Sequence, residues 1–163
     1  MEPLSNAESR EWGIVEELYP SLRRFAAVVA PSDLEPDDLL QEALVSVLQK
    51  RSVSSLDHPA AYLRRTILNA AIAHQRSRGR WRRAMTTYVA SANPVTVNVY
   101  PSDLEELLRL PPRERAALYL HEVEGYRFSE IGGMLGCSEA AARKASSRGR
   151  RRLGMALRSE VKS

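Results

Sequence analysis

Apolar residues recur three and four positions apart along nearly the whole chain, and no stretch alternates apolar with polar residues persuasively enough to build a sheet. A chain patterned this way is confined to packing helix on helix, so an all-α fold is expected. Between Ala7 and Ala30 the stripe is Trp12, Val15, Leu18, Leu22, Phe25, Ala26 and Val29, with Pro20 placed to interrupt or restart the helix. Pro36 opens a second helix with Asp37 and Asp38 at the positive end of its dipole. It should run to about Lys50, with Leu40, Ala43, Leu44, Val47 and Leu48 inward and Asp38, Gln41, Glu42, Val45 and Gln49 outward. After the loop RSVSSLD, a third helix opens near Pro59, with Leu63, Ile67 and Ala70 on one face and Arg65, Asn69 and Arg76 on another.

From Thr86 to Ser102 the composition changes to TTYVASANPVTVNVYPS, uncharged and punctuated by two prolines. This reads as a linker, although VTVNVY could pair as a short strand. The organisation expected is two small helical domains, residues 6–85 and 103–160, joined by a flexible linker over 86–102. In the second domain a helix starts at Pro112 and ends near Gly125, another spans roughly Ser129 to Leu135, and a long basic one begins after Ser138, a suitable N-cap.

Composition limits the function classes. Hydrophobic residues are 44% and charged ones 27%, as in soluble globular proteins. Cys137 is alone, which excludes an internal disulfide and fits a structural plug better than a nucleophile without a partner base. His58, His74 and His121 are scattered, with no metal spacing, paired nucleophile or glycine-rich phosphate loop, so neither catalysis nor a metal or other cofactor is expected. The N-terminus MEPLSNAESREWG is acidic and polar where a signal peptide is basic and apolar, and no apolar run approaches the ~20 residues of a membrane span. A cytoplasmic protein is expected.

Net charge is only +4, but it is unevenly spread. Through residue 60 acids outnumber bases 11 to 5, whereas residues 61–85 carry seven arginines and no acid. A second acid-free cluster runs through Arg143, Lys144, Arg148, Arg150, Arg151, Arg152 and Arg158. Two separated basic surfaces point to two contacts with a polyanion. In IGGMLGCSEAAARKASSRGRRRL, Ile131 and Leu135 share a face, Gly136 permits a tight turn, and Ala142, Ala145, Gly149 and Leu153 let the next helix pack closely. The opposite side bears Arg143, Lys144, Ser147, Arg148 and Arg151, a face suited to a DNA major groove. The bland reading is a solvated basic helix end; the turn favours DNA. Tyr62 and Trp81 among the arginines of the third helix suit stacking on unpaired bases, or equally a solvated surface. The Asp38, Gln41, Glu42 face is either solvated or a partner site.

Taken in order, EPDDLLQEALVSVLQK, HPAAYLRRTILNAAIAHQRSRGRWRR and LPPRERAALYLHEVEGYRFSEIGGMLGCSEAAARKASSRGRRRL resemble the extracytoplasmic-function (ECF) group of bacterial sigma factors in the sigma-70 superfamily, most nearly the small actinobacterial-type members. The resemblance covers nearly the entire chain. It implies that residues 6–85 are a region 2 domain that docks on the β′ clamp helices of core RNA polymerase through Asp38, Gln41 and Glu42. It further implies that the loop of Arg51, Ser52, Val53, Ser54, Ser55 and Leu56 takes a flipped-out base of the minus-ten strand, beside Tyr62, Arg65, Asn69 and Arg76. Residues 103–160 would be a region 4 domain that reads the minus-35 element of promoter DNA through Arg143, Lys144, Ser147, Arg148 and Arg151 and meets the β flap. The linker would thread toward the active-site and RNA-exit channels, and an anti-sigma factor is an expected regulator. Three features depart from the family pattern: Tyr62 where tryptophan is common, His74 where aspartate is common, and Ala140, Ala141 and Ala142 in place of a Gly-Thr-Val run. They bear on promoter sequence and melting. The alternative is a stand-alone helix-turn-helix regulator whose N-terminal helices dimerise or sense a signal.

Overall fold

A computed structural model describes residues 5–86 and 102–161, and every regular element among them is helical. Helix α1 spans Asn6–Val29, α2 Pro36–Leu48, α3 Pro59–Thr86, α4 Ser102–Arg109, α5 Pro112–Glu122, α6 Phe128–Leu135 and α7 Glu139–Val161. A single 3-10 turn, Val53–Ser55, lies between α2 and α3. The linker and the VTVNVY strand fall on residues 87–101, outside the described residues.

Local chemistry accounts for the helix starts. The Ser5 hydroxyl accepts from the Glu8 amide while the Glu8 carboxylate accepts from the Ser5 amide, a reciprocal cap. Proline leads α2, α3 and α5, where its missing N–H costs no intrahelical bond. Ser138 caps α7 by accepting from the Ala141 amide at 3.1 Å. Pro20 neither breaks nor restarts α1. It sits on the exposed side, and the buried Val15, Leu22, Phe25 and Val29 on either side of it hold one continuous helix against the core. Trp12, placed on the inner stripe by spacing, is half exposed. Helix α4 precedes the first helix expected in the second domain, and Leu104, Leu107 and Leu108 stand three and four positions apart in it.

Helices α1, α2 and α3 pack on one another, and α5, α6 and α7 form the second group. The two groups share one apolar cluster, in which Leu22, Phe25, Leu63 and Ile67 are continuous with Ala116, Leu120, Ile131 and Leu135. Contacts of α1 with α5 and of α3 with α6 close the junction. Burial there extends to charged groups. Arg64, grouped by sequence with the basic surface of α3, is 3% exposed; its guanidinium lies 3.8 Å from Glu124 and 5.5 Å from the centre of the Tyr126 ring.

Candidate nucleic-acid interface

The second helix group is a helix-turn-helix. Gly136 ends α6 at φ 67°, the left-handed conformation that a residue with a Cβ resists, and the Cys137 amide turns back to the Gly132 carbonyl at 2.9 Å. Ala142, Ala145 and Gly149 of α7 are buried. At Gly149 a Cβ would lie 3.2 Å from the Glu114 carbonyl oxygen, so the small residue lets α7 cross α5 backbone to backbone. That approach turns the other side of α7 outward, and Arg143, Lys144, Ser147, Arg148 and Arg151 are all exposed.

These five residues are not electrically equivalent. Arg143 is held by Glu139 at 2.8 Å and its guanidinium lies 5.2 Å from the Phe128 ring centre. Lys144, Arg148 and Arg151 form no ion pair with the described residues. Arg150 and Arg152, on the flank, are taken up by Glu122 and Glu114. The uncompensated charge is therefore concentrated on the outward face, where it can neutralise phosphates or pair with guanine edges.

A second surface surrounds the loop between α2 and α3. Arg51 lies 5.8 Å above the Tyr62 ring centre, which brings a loop cation and a helix aromatic together as a stacking platform. Ser52, Ser54 and Ser55 are exposed and Leu56 is half-buried. Val53 departs from the expected set: it is 0% exposed, because the turn needs one apolar anchor in the core, and its side chain cannot meet a base without unfolding the loop. Asn69 and Arg76 are exposed along α3. Arg65, also exposed, lies over Gly136, where an added Cβ would sit 2.5 Å from its Nε. It thus also touches the turn of the second helix group.

Glu11 is a contact of this loop that the sequence pattern does not reveal. Its carboxylate accepts from the Ser52 hydroxyl, and at 3.3 and 3.4 Å from the Ser54 hydroxyl and amide, so α1 tethers the loop. The Ser52 hydrogen bond, chiefly, lowers the Glu11 pKa below the ordinary glutamate value. No local pattern marks a partner 41 positions away.

The third surface is on α2, where Asp38, Gln41, Glu42, Val45 and Gln49 are exposed as the spacing predicts. Glu42 is engaged by His74 of α3, and Asp37 is bound by Arg23, which lowers the Asp37 pKa. On the opposite side of α2, Leu39 is fully buried together with Leu40. Among the described residues no group of three or more His, Cys, Asp or Glu side chains can hold a metal ion, and no helix is long and apolar enough to cross a membrane.

Two family models match in order, sigma-70 region 2 over residues 14–81 and sigma-70 region 4 over residues 104–153. Together they take in well over half of the chain. The protein belongs to the ECF group of sigma-70 factors. The chain is 28% identical over 150 residues to the ECF RNA polymerase sigma factor SigM of Mycobacterium tuberculosis, covering 85% of this chain and 72% of the relative. It is 29% identical over 144 residues to the RNA polymerase sigma factor CarQ of Myxococcus xanthus, covering 82% and 81%. In fold it is similar to the sigma factor RpoE of Bartonella quintana, solved in complex with the anti-sigma factor NepR, with a TM-score of 0.66, 21% identity, and 90% and 95% of the two chains covered. In this ECF factor the α2 face, the loop and the first turns of α3 lie within the region 2 match, and α5, α6 and most of α7 within the region 4 match.

Proposed function

We propose that this ECF factor binds core RNA polymerase and promoter DNA in the cytoplasm and directs initiation at a restricted set of promoters, without catalysis of its own. The observation that carries the reading is the succession of region 2 and region 4 in one chain. A stand-alone regulator accounts for a helix-turn-helix but leaves the region 2 match without a purpose.

In this reading Asp38, Gln41 and Glu42 meet the β′ clamp helices. The Arg51 and Tyr62 platform, the serines of the loop, Asn69 and Arg76 hold the melted minus-ten strand. Arg143, Lys144, Ser147, Arg148 and Arg151 read the minus-35 element, and the region 4 domain meets the β flap. Residues 6–85 and 103–160 act as the two modules, with 86–102 between them.

Geometry adds a requirement. The two elements are about 25 base pairs apart, roughly 85 Å of duplex at ~3.4 Å per pair. A compact chain of this length is only ~40 Å across by the usual size scaling. The closed arrangement cannot reach both, so the helix groups must separate on the promoter. Residues 86–102, extended at ~3.5 Å each, span at most about 60 Å, enough for most of that opening. A regulator that stabilises the closed form, such as an anti-sigma protein, would oppose initiation.

The test is capture of core RNA polymerase by the purified protein, followed by run-off transcription from a genomic promoter library. Binding with a small set of transcripts is the expected result. Duplex binding without any polymerase binding would overturn the reading in favour of the stand-alone regulator.

A further inference from the structure

The two helix groups meet through charged side chains as well as apolar ones. Arg64 of α3 is buried and faces Glu124, just past α5, at 3.8 Å, with its guanidinium 5.5 Å from the Tyr126 ring centre. The Tyr119 hydroxyl donates to the other Glu124 oxygen at 2.8 Å and so orients the carboxylate. Arg65, the next residue of α3, lies over Gly136 in the turn between α6 and α7. From the other group, Arg115 of α5 is 2% exposed, and its Nη2 donates to the Val29 carbonyl at the end of α1 at 3.3 Å.

These contacts leave donors unmatched. Nε of Arg64 and both Nε and Nη1 of Arg115 have no hydrogen-bond partner in the protein, and they are the only buried side-chain N or O atoms in that position among the described residues. Buried donors are almost always paired, and a buried cation is costly unless its partner fits it closely. Arg64 gains less from a carboxylate at 3.8 Å than from a close bidentate one. Burial lowers the Arg115 pKa to about 10, which is the same cost seen in its protonation. Separation of the groups returns both guanidinium groups to water and exposes apolar surface of the shared cluster. Closure is therefore held by apolar burial and one ion pair, and opposed by the unmatched N–H groups, as suits an interface between domains that come apart.

We propose that this seam is an autoinhibitory contact, latched by the Arg64–Glu124 pair and poised to open by the unmatched N–H groups of Arg115. The opening itself does not depend on the sigma reading; that it restrains transcription rests on that reading. Only the open chain reaches both promoter elements, so affinity for polymerase is reduced by the fraction of chains that are closed. Core polymerase, by holding the open form, draws the equilibrium over. Two substitutions should then act in opposite directions. Glu124→Gln leaves Arg64 buried without its countercharge and favours opening. Arg115→Met keeps a long side chain, removes the unmatched cation and favours closure.

The experiment pairs small-angle X-ray scattering of the full chain, without DNA or polymerase, with titration of labelled core RNA polymerase. Glu124→Gln is expected to have a larger radius of gyration than the unmodified chain and to bind polymerase about threefold more tightly. Arg115→Met should be no larger than the unmodified chain and bind about threefold more weakly. Circular dichroism checks that each variant keeps its helices. If Arg115→Met does not fold, Arg64→Met added to Glu124→Gln, which removes the stranded cation, must bring both readouts back toward those of the unmodified chain. An unchanged radius in Glu124→Gln, or polymerase affinity that moves the same way in Glu124→Gln and Arg115→Met, would overturn the latch. A larger radius with unchanged polymerase affinity would overturn the autoinhibition. Radii that respond as expected while no chain binds polymerase would support the seam and count against the sigma reading.

Discussion

His74 on α3 and Glu42 on α2 meet at 2.7 Å, so one residue of the proposed polymerase face is already engaged within the protein. Both side chains are about half exposed, at 41% and 54%, and an exposed pair of this kind contributes only ~0–1 kcal/mol. The contact therefore orients Glu42 more than it stabilises the fold. A partner must displace or share the imidazole.

Charge reversal at Asp38 and Glu42 should abolish transcription while leaving duplex affinity unchanged, because both residues lie on α2, apart from the basic face of α7. Replacing His74 by alanine should change stability by less than ~1 kcal/mol and leave polymerase affinity equal or higher. Competition binding against labelled core polymerase checks both, and retained polymerase binding by the double reversal would remove these residues from the interface.

Arg148 and Arg151 stand on the same exposed face without ion-pair partners among the described residues. Arg148→Ala should weaken specific duplex binding by ~1–3 kcal/mol and relax selectivity at one base pair. Arg151→Ala should weaken specific and random duplexes alike and reduce the salt slope by ~1. Equal losses for Arg148→Ala on both kinds of DNA would assign it to phosphate contact.

The tether from Glu11 to Ser52 and Ser54 should be visible in the mobility of the loop. Glu11→Ala is expected to speed amide exchange at Ser54 several-fold, roughly the effect of losing one hydrogen bond, with little change at Leu63 in the core. Because the Ser52 hydroxyl holds the Glu11 pKa below its ordinary value, the tether is fully present above that ordinary value. It is lost as pH falls through the lowered folded value. A Ser54 protection factor, taken relative to the intrinsic exchange rate at each pH, that stays constant as pH falls from 6 through the acidic range would contradict this assignment.

Gly149→Leu should destabilise the helix-turn-helix by ~1–3 kcal/mol, since even a Cβ there stands 3.2 Å from backbone that cannot swing aside. The gain in helix propensity, at most about 1 kcal/mol, does not offset the overlap. Denaturant unfolding measures the difference, and an unchanged midpoint would mean that α7 shifts off α5 freely.

Periodicity made the helices legible because it reports which side of each helix must leave water, and that is a local property. The buried Leu40, Ala43 and Val47 of α2, the left-handed Gly136 and the outward Arg143, Lys144, Ser147, Arg148 and Arg151 all follow from residues within a few positions of one another. Pro20 was misleading for the opposite reason: its local penalty is real, but packing of the buried residues around it outweighs the penalty. The burial of Val53 was not legible, because a lone apolar residue in a polar loop has no period to assign it a side.

The helices, the two basic surfaces, the helix-turn-helix and the likeness to sigma factors all follow from the order of residues. The crossing of whole helices sets which polar groups find each other: Glu11 with Ser52, His74 with Glu42, Arg64 with Glu124, and Arg115 with the end of α1. The reason is physical. Burial of a helix face depends on spacing along one element, whereas the meeting of polar groups far apart in the chain depends on how whole helices cross, which the closure of the shared core sets.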